Sequence, residues 1–192
     1  MNPSSWIQTF TGRQFHPLAP RVEDLDIYDI AHALALTSRY NGHTLSYYSV
    51  AEHSVLVSRH VDPEYAREGL LHDAAEAYIG DMVRPLKRQP EMAAFVKAEL
   101  DIERCVAEKF NLRTDPVTIA AWKSIDDRIL VDEISVLMSN PVMQLERHQG
   151  KDPVGAEILC YTPERAEILF LTRFWELFPE HRPFGDIDFE IA

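Results

Sequence analysis

The chain has 192 residues, 46% of them hydrophobic, and a formal net charge of −12. That length supports one well-buried core and leaves little for a second domain, so a single domain over 1–192 is expected. The acidity disfavours polymeric nucleic acid and anionic lipid as partners, because both bind through basic patches.

There is no apolar run of eighteen residues, so no membrane-spanning helix is expected. Met1-Asn2-Pro3-Ser4-Ser5-Trp6 has neither the basic start nor the apolar centre of a signal peptide. Cys105 and Cys160 stand far apart and read as free thiols of a reducing compartment, which makes the cytoplasm the expected location.

Residues 1–23 carry Pro3, Pro17 and Pro20 and read as an irregular arm over the domain. A first helix is expected to start between Asp24 and Asp29, with Ile27, Ile30, Ala31, Leu34 and Ala35 on one face. Arg39-Tyr40-Asn41-Gly42 reads as its stop, a last-turn cation followed by glycine. On that reading Arg39 either serves the helix end or binds phosphate. Ser49-Val50-Ala51-Glu52 is a capping box that opens a second helix. Its stripe of Val50, His53, Val57 and Val61 places His53 on a buried face, as a core histidine or a ligand.

The densest chemistry lies in Leu70-Leu71-His72-Asp73-Ala74-Ala75-Glu76-Ala77-Tyr78-Ile79-Gly80-Asp81, followed by Pro85-Leu86-Lys87. The start signal Asp62-Pro63 and the stop at Gly80 predict one helix between them. At about 100° per residue, His72, Asp73 and Glu76 then share an arc of roughly 100°. Gly69, one turn back, is expected to leave room for an ion or substrate, and Asp81 to turn back over the site.

Pro85 and Pro90 precede a long helix over about 91–110, with Met92, Phe95, Val96, Val106 and Phe110 as core. Asp115-Pro116 starts another, running to Asn140-Pro141. On it Ile119, Trp122, Asp126, Ile129, Leu130, Glu133 and Leu137 form one stripe, so Asp126 faces inward while Asp127 does not. Residues 141–161 read as loop. Thr162-Pro163 caps a last helix carrying Ala166, Leu169, Phe170, Arg173, Phe174 and Leu177. No period-2 strand set stands out. The expected class is all-α, about six helices: an arm (1–23), a metal-site core (24–140), then a loop and C-terminal helix (141–192).

Burying this many ionisable groups is costly unless they pair or hold a metal. Two imidazoles, His53 and His72, with two carboxylates, Asp73 and Asp126, make a mixed N/O set suited to one divalent Mn, Co, Zn or Fe ion. Such an ion acidifies a water and neutralises phosphoryl oxygens. A His-Asp dipeptide alone means little; the signal is the whole set.

With those residues in view, the chain resembles the HD-domain metal-dependent phosphohydrolases, whose pattern is a first His, then His-Asp, then a distal Asp. Leu71-His72-Asp73-Ala74-Ala75-Glu76 through Gly80-Asp81 to Pro85-Leu86-Lys87, with Val50-Ala51-Glu52-His53-Ser54, is similar to the bacterial 5′-deoxynucleotidase branch. The similarity covers roughly residues 30–140.

The resemblance implies an HD helical bundle with His53, His72, Asp73 and Asp126 as ligands. It implies that Glu76 and Asp81 handle the attacking water and the leaving oxygen, and that Lys87 faces phosphate. Arg39 resembles the branch's arginine before the first histidine, at a spacing one residue shorter, and Tyr40 its base- or sugar-facing aromatic. No histidine lies between Asp73 and His148, whereas the HD-type di-iron oxygenases and cyclic-dinucleotide phosphodiesterases carry extra ones, so a mononuclear site is favoured.

The implied activity is hydrolysis of a 5′-deoxynucleoside monophosphate to deoxynucleoside and phosphate. A dATP-type triphosphohydrolase releasing triphosphate is the alternative, and a non-catalytic metal- or nucleotide-binding module is the alternative of another class. Family relatives assemble as dimers or larger, which implies a homo-oligomer.

Overall fold

The computed structural model describes residues 5–146 and 150–182. The first four residues of the arm, His148 and the end of the tail lie outside that range. The fold is all-α. Its helices are α1 (Ile27–Leu36), α2 (Val50–His60), α3 (Ala66–Leu71), α4 (Glu76–Ile79), α5 (Arg84–Lys87), α6 (Ala93–Lys109), α7 (Pro116–Leu137), α8 (Pro141–Leu145) and α9 (Pro163–Leu177). Among the described residues, strand structure is confined to the antiparallel pair β1 (Ile7–Gln8) and β2 (Gln14–Phe15), with Ile7 opposite Phe15.

Helix α2 lies at the centre and packs against α1, α3, α7 and α9. It is buried on nearly every side, at Val50, Ala51, Val55 and Val57 but also at Glu52, His53 and Ser58. A helix in that position must provide partners for its polar residues. The Ser58 hydroxyl donates to the Ala66 carbonyl at 2.9 Å and accepts from Arg173 Nε at 3.0 Å. Ser49 caps the helix, its Oγ accepting from the Glu52 amide at 3.1 Å. The return half of the expected capping box is not made. The Glu52 carboxylate instead accepts the backbone N–H groups of Leu159, Cys160 and Tyr161 at 2.8–3.1 Å, fixing the approach to α9.

The main hydrophobic cluster joins α1, α2, α3, α6 and α9 through Leu34, Val55, Leu70, Ile102, Phe170 and Phe174. Burying each such side chain contributes about 1.5–3 kcal/mol. Asp26, inside the expected 24–29 start, caps α1, and Asp115 and Thr162 cap α7 and α9, each accepting a first-turn N–H, whereas the Asp62 side chain makes no cap hydrogen bond before Pro63–Tyr65.

Several expectations need correction. The arm is not irregular throughout: its hairpin is held to α1 by the Thr11 N–H and hydroxyl, both donating to Asp29, and Phe15 is buried against Tyr78. Helix α1 ends at Leu36, not at Arg39-Tyr40-Asn41-Gly42, which forms a separate turn. The helix expected over 63–80 is divided, because residues 72–75 tighten into turns with Ala74 N–H bonded to Leu71 O and Glu76 N–H to Asp73 O. Met92, Phe95 and Val96 are only half-buried because the start of α6 lies at the edge, and Ile119 is 39% exposed. The 141–161 loop contains α8.

Gly69 leaves no room for a ligand. A Cβ there would lie 3.2 Å from Val61 Cγ1 and 3.3 Å from Ser58 Cα, so glycine is what lets α3 approach α2.

Candidate metal centre

Three elements meet beside α2. His53 comes from its second turn, His72 and Asp73 from the tightened turn after α3, and Asp126 from the middle of α7. His53, His72 and Asp73 could hold a metal ion, since each offers a ligand atom and these atoms lie within 4.8 Å of one another. Asp73 Oδ2 is 3.1 Å from His72 Nε2 and 3.8 Å from His53 Nε2. Asp126 Oδ1 approaches His53 Nε2 to 3.2 Å. The two imidazole centroids are 5.2 Å apart, and Trp122 packs on the far side of His72 at 5.1 Å.

Both imidazoles are oriented from behind, and this decides what they present in front. His72 Nδ1 lies 2.9 Å from the Gly69 carbonyl, which only accepts, so Nδ1 carries the hydrogen. His53 Nδ1 lies 2.6 Å from the Glu133 carboxylate and likewise donates. The lone pairs of both Nε2 atoms therefore face Asp73 and Asp126, and neither Nε2 has a hydrogen-bond partner. Nitrogen and oxygen lone pairs turned toward one another require a positive charge between them. The donor set fits a divalent cation, and the buried, unpartnered nitrogens are the observation that makes it fit.

The same carboxylates favour a proton on His53 when no cation is bound. Burial and the Arg39 guanidinium oppose protonation of His53, yet Glu133 and Asp126 outweigh them and push it up to about 9. Burial works against Asp73 and Asp126 too, but the neighbouring imidazoles hold both carboxyls well below the usual range. Glu76 goes the other way. Burial, then the charges of Asp73 and Asp81, push it up to about 10, and its Oε2 has no partner. Asp81 is also raised, first by burial and then by Asp73, against the pull of Arg39.

Arg39 is not a helix-end cation. Its guanidinium is buried between Glu133, at 3.2 Å, and Asp73, at 3.5 Å. The Tyr40 hydroxyl donates to Glu133 at 2.5 Å. Tyr40 and Asn41 both adopt left-handed backbone, with φ of 56° and 52°, which asparagine tolerates but which is costly for tyrosine. Lys87 sits on α5 with its ammonium on the buried Glu99 at 2.5 Å, close enough to lower Glu76 and Asp81 electrostatically. Asp127 points away, to Lys151 at 2.8 Å and Arg84 at 3.5 Å.

Sequence reasoning left three groups here without a role. Glu133 lies on the same apolar stripe as Asp126, two turns further, and the burial argument applied to the aspartate applied equally to it. Arg84 donates to Asp126 Oδ2 at 3.2 Å, and an exposed cation on a four-residue helix gives no periodic signal. Tyr48, buried with its hydroxyl 3.0 Å from Glu133, precedes a helix and belongs to no stripe.

No family model matches the chain. It is 41% identical over 129 residues to the uncharacterized protein YfdR of Escherichia coli K12, a match covering 67% of this chain and 70% of that one. An uncharacterized protein of Rhodobacter capsulatus is 36% identical over 118 residues, covering 57% and 58%. A phosphomethylpyrimidine synthase of Methanoculleus marisnigri is 32% identical over 104 residues, but the match spans only 24% of its length.

Proposed function

The chain belongs to the family of the Escherichia coli protein YfdR, and for a member of it with this centre we propose metal-dependent hydrolysis of 5′-nucleotide phosphate esters, of the HD-domain type. The observation that carries the reading is the pair of buried Nε2 lone pairs turned onto carboxylate oxygens. His53, His72, Asp73 and Asp126 hold one divalent ion of the Mn, Co, Zn or Fe group. When bound, such an ion supplies Lewis acidity, acidifying a water and offsetting phosphoryl charge.

The chain's own groups do the rest. Of Glu76 and Asp81, both raised by burial and by the charge of Asp73, one takes the proton of the attacking water and the other returns one to the ester oxygen. The water oxygen joins phosphorus, the phosphorus–O5′ bond breaks, and O5′ leaves protonated. Lys87 and, more deeply, Arg39 supply positive charge for phosphate oxygens, with Tyr40 beside the sugar or base. A deoxynucleoside monophosphate is the first substrate. A deoxynucleoside triphosphate, losing triphosphate by the same attack, is the second reading, and the Arg84 and Lys151 cations beside Asp126 and Asp127 favour it.

The protein is expected to act in the cytoplasm as a homo-oligomer. Among the described residues no helix is long and apolar enough to cross a membrane. Incubating the purified chain with dAMP and dATP in Mn2+ or Co2+ and identifying the released anion tests the proposal. Phosphate from dAMP supports the first reading and triphosphate from dATP the second. No turnover of any nucleotide refutes both and leaves the non-catalytic binding module.

A further inference from the structure

Glu133 is the most completely satisfied carboxylate near the centre, and no part of the proposed chemistry uses it. Its side chain is wholly buried on α7. Four donors converge on it: His53 Nδ1 and the Tyr48 hydroxyl on Oε1, the Tyr40 hydroxyl and an Arg39 N–H on Oε2. Two lone pairs on each oxygen are thereby filled. The donors come from the middle of α2, from the residue before its cap, and from the left-handed turn between α1 and α2.

We propose that Glu133 is a positioning residue that ties cation affinity to the shape of the Arg39–Tyr40 turn, through His53 on one oxygen and that turn on the other. The inference rests on the reading that His53 is a cation ligand. Accepting from Nδ1 keeps the hydrogen off Nε2, the nitrogen that faces Asp73 and Asp126. A carboxylate behind a ligating histidine fixes both tautomer and ring orientation. The other oxygen neutralises Arg39 and holds Tyr40, whose left-handed backbone its bulky side chain does not favour. A change at Glu133 therefore reaches both the ligand and the substrate-facing turn, although Glu133 contacts neither ion nor substrate.

An amide cannot do this. Glu133→Gln keeps one accepting oxygen and turns an NH2 toward two groups that are themselves donors. If the NH2 faces His53, the imidazole relieves the clash by moving its hydrogen to Nε2, which closes the ligand position. If it faces Arg39 and Tyr40, the left-handed turn loses its hold.

The test compares the wild type with Glu133→Gln and Tyr48→Phe, the latter removing one donor and leaving the carboxylate. Co2+ affinity is measured by calorimetric titration, His53 tautomer by 15N chemical shifts, KM for dAMP in saturating Co2+, and folding by circular dichroism. Glu133→Gln is expected to weaken Co2+ binding about 10–100-fold, to move the imidazole 15N shifts or raise KM, and to stay folded. Tyr48→Phe should move Co2+ affinity much less. A folded Glu133→Gln protein with wild-type Co2+ affinity overturns the proposal, as does a Tyr48→Phe protein that weakens Co2+ equally. Should Glu133→Gln fail to fold, Glu133→Asp replaces it under the same criteria. A wild type that binds Co2+ without nucleotide turnover refutes the proposed hydrolysis and leaves this inference to be decided by affinity. A wild type that binds no divalent cation overturns both.

Discussion

Two glutamates near the centre, Glu133 wholly buried and Glu76 half-buried, differ in almost every respect. Glu133, behind His53, receives four donors, and Arg39 and His53 outweigh its burial to hold it down to about 2. Glu76, in front, has an oxygen with no partner and is pushed up to about 10 by burial and by Asp73 and Asp81. A carboxylate whose lone pairs are all filled holds other groups in place. One left short of partners among like charges is free to exchange protons or meet a cation, and such unsatisfied groups gather where chemistry is done.

The largest expected effect breaks the front of the site and spares the back. Glu76→Gln removes a group proposed to handle protons and should lower nucleotide turnover about 10²–10⁴-fold. Bound metal, measured by plasma mass spectrometry, should stay at the wild-type level, because Glu76 is not among the four proposed ligands. The melting temperature should hold or rise, since a crowded carboxylate is replaced by a neutral group of the same size. A variant that keeps full turnover would remove Glu76 from the chemistry.

Cation removal acts on both sides of the comparison at once. At a free Co2+ concentration of about 100 times its dissociation constant, binding to the native state alone adds about 2.7 kcal/mol. For a chain of this length, a chelator should then lower the melting temperature by roughly 5–10 °C. The same scan on Glu133→Gln should show a smaller difference between its two conditions, because less of that linkage remains.

How much of this was legible beforehand follows from the kind of signal each feature leaves. The helical class and the caps at Ser49, Asp115 and Thr162 were readable, because periodic burial and capping are local. His53, His72 and Asp73 could be brought together because each is an ionisable group on an apolar face. The hairpin in the arm was not readable: two-residue strands are too short to show alternation. The tightened turn at 72–75 was hidden because it keeps nearly the helical path. Arg39-Tyr40-Asn41-Gly42 resembled a helix stop, and only contacts from α7, nearly a hundred residues away, turn it into part of the site.

A third carboxylate sharpens the distinction. Glu52 is also buried and well supplied, but its three donors are backbone N–H groups of residues 159–161 and none is a ligand. Saturation alone therefore does not mark a functional residue; what is held does. Glu52→Gln should cost about 2 kcal/mol in a denaturant melt, as one or two of those N–H groups lose their acceptor. Co2+ affinity should stay unchanged. A loss of affinity comparable to that of Glu133→Gln would mean that any damage to α2 disturbs the centre, and Glu133 would lose its special standing.

The smallest effect concerns the packing that places His72 and Asp73. At Gly69 the backbone has negative φ, so alanine is conformationally permitted and even preferred in a helix by about 1 kcal/mol. Against that stands a Cβ at 3.2 Å from the movable Val61 Cγ1 and 3.3 Å from the backbone of Ser58, which moves only if α2 and α3 separate. Overpacking of this kind costs about 1–3 kcal/mol. Gly69→Ala should therefore be destabilising by about 1 kcal/mol net. The strain falls on the helix that carries His72 at its end, so the more informative readout is Co2+ affinity. A few tenths of an ångström between α2 and α3 moves His72 relative to His53, and a modest weakening of the ion should accompany the drop in melting temperature. Loss of stability with unaltered affinity would show that the turn at 72–75 absorbs the shift.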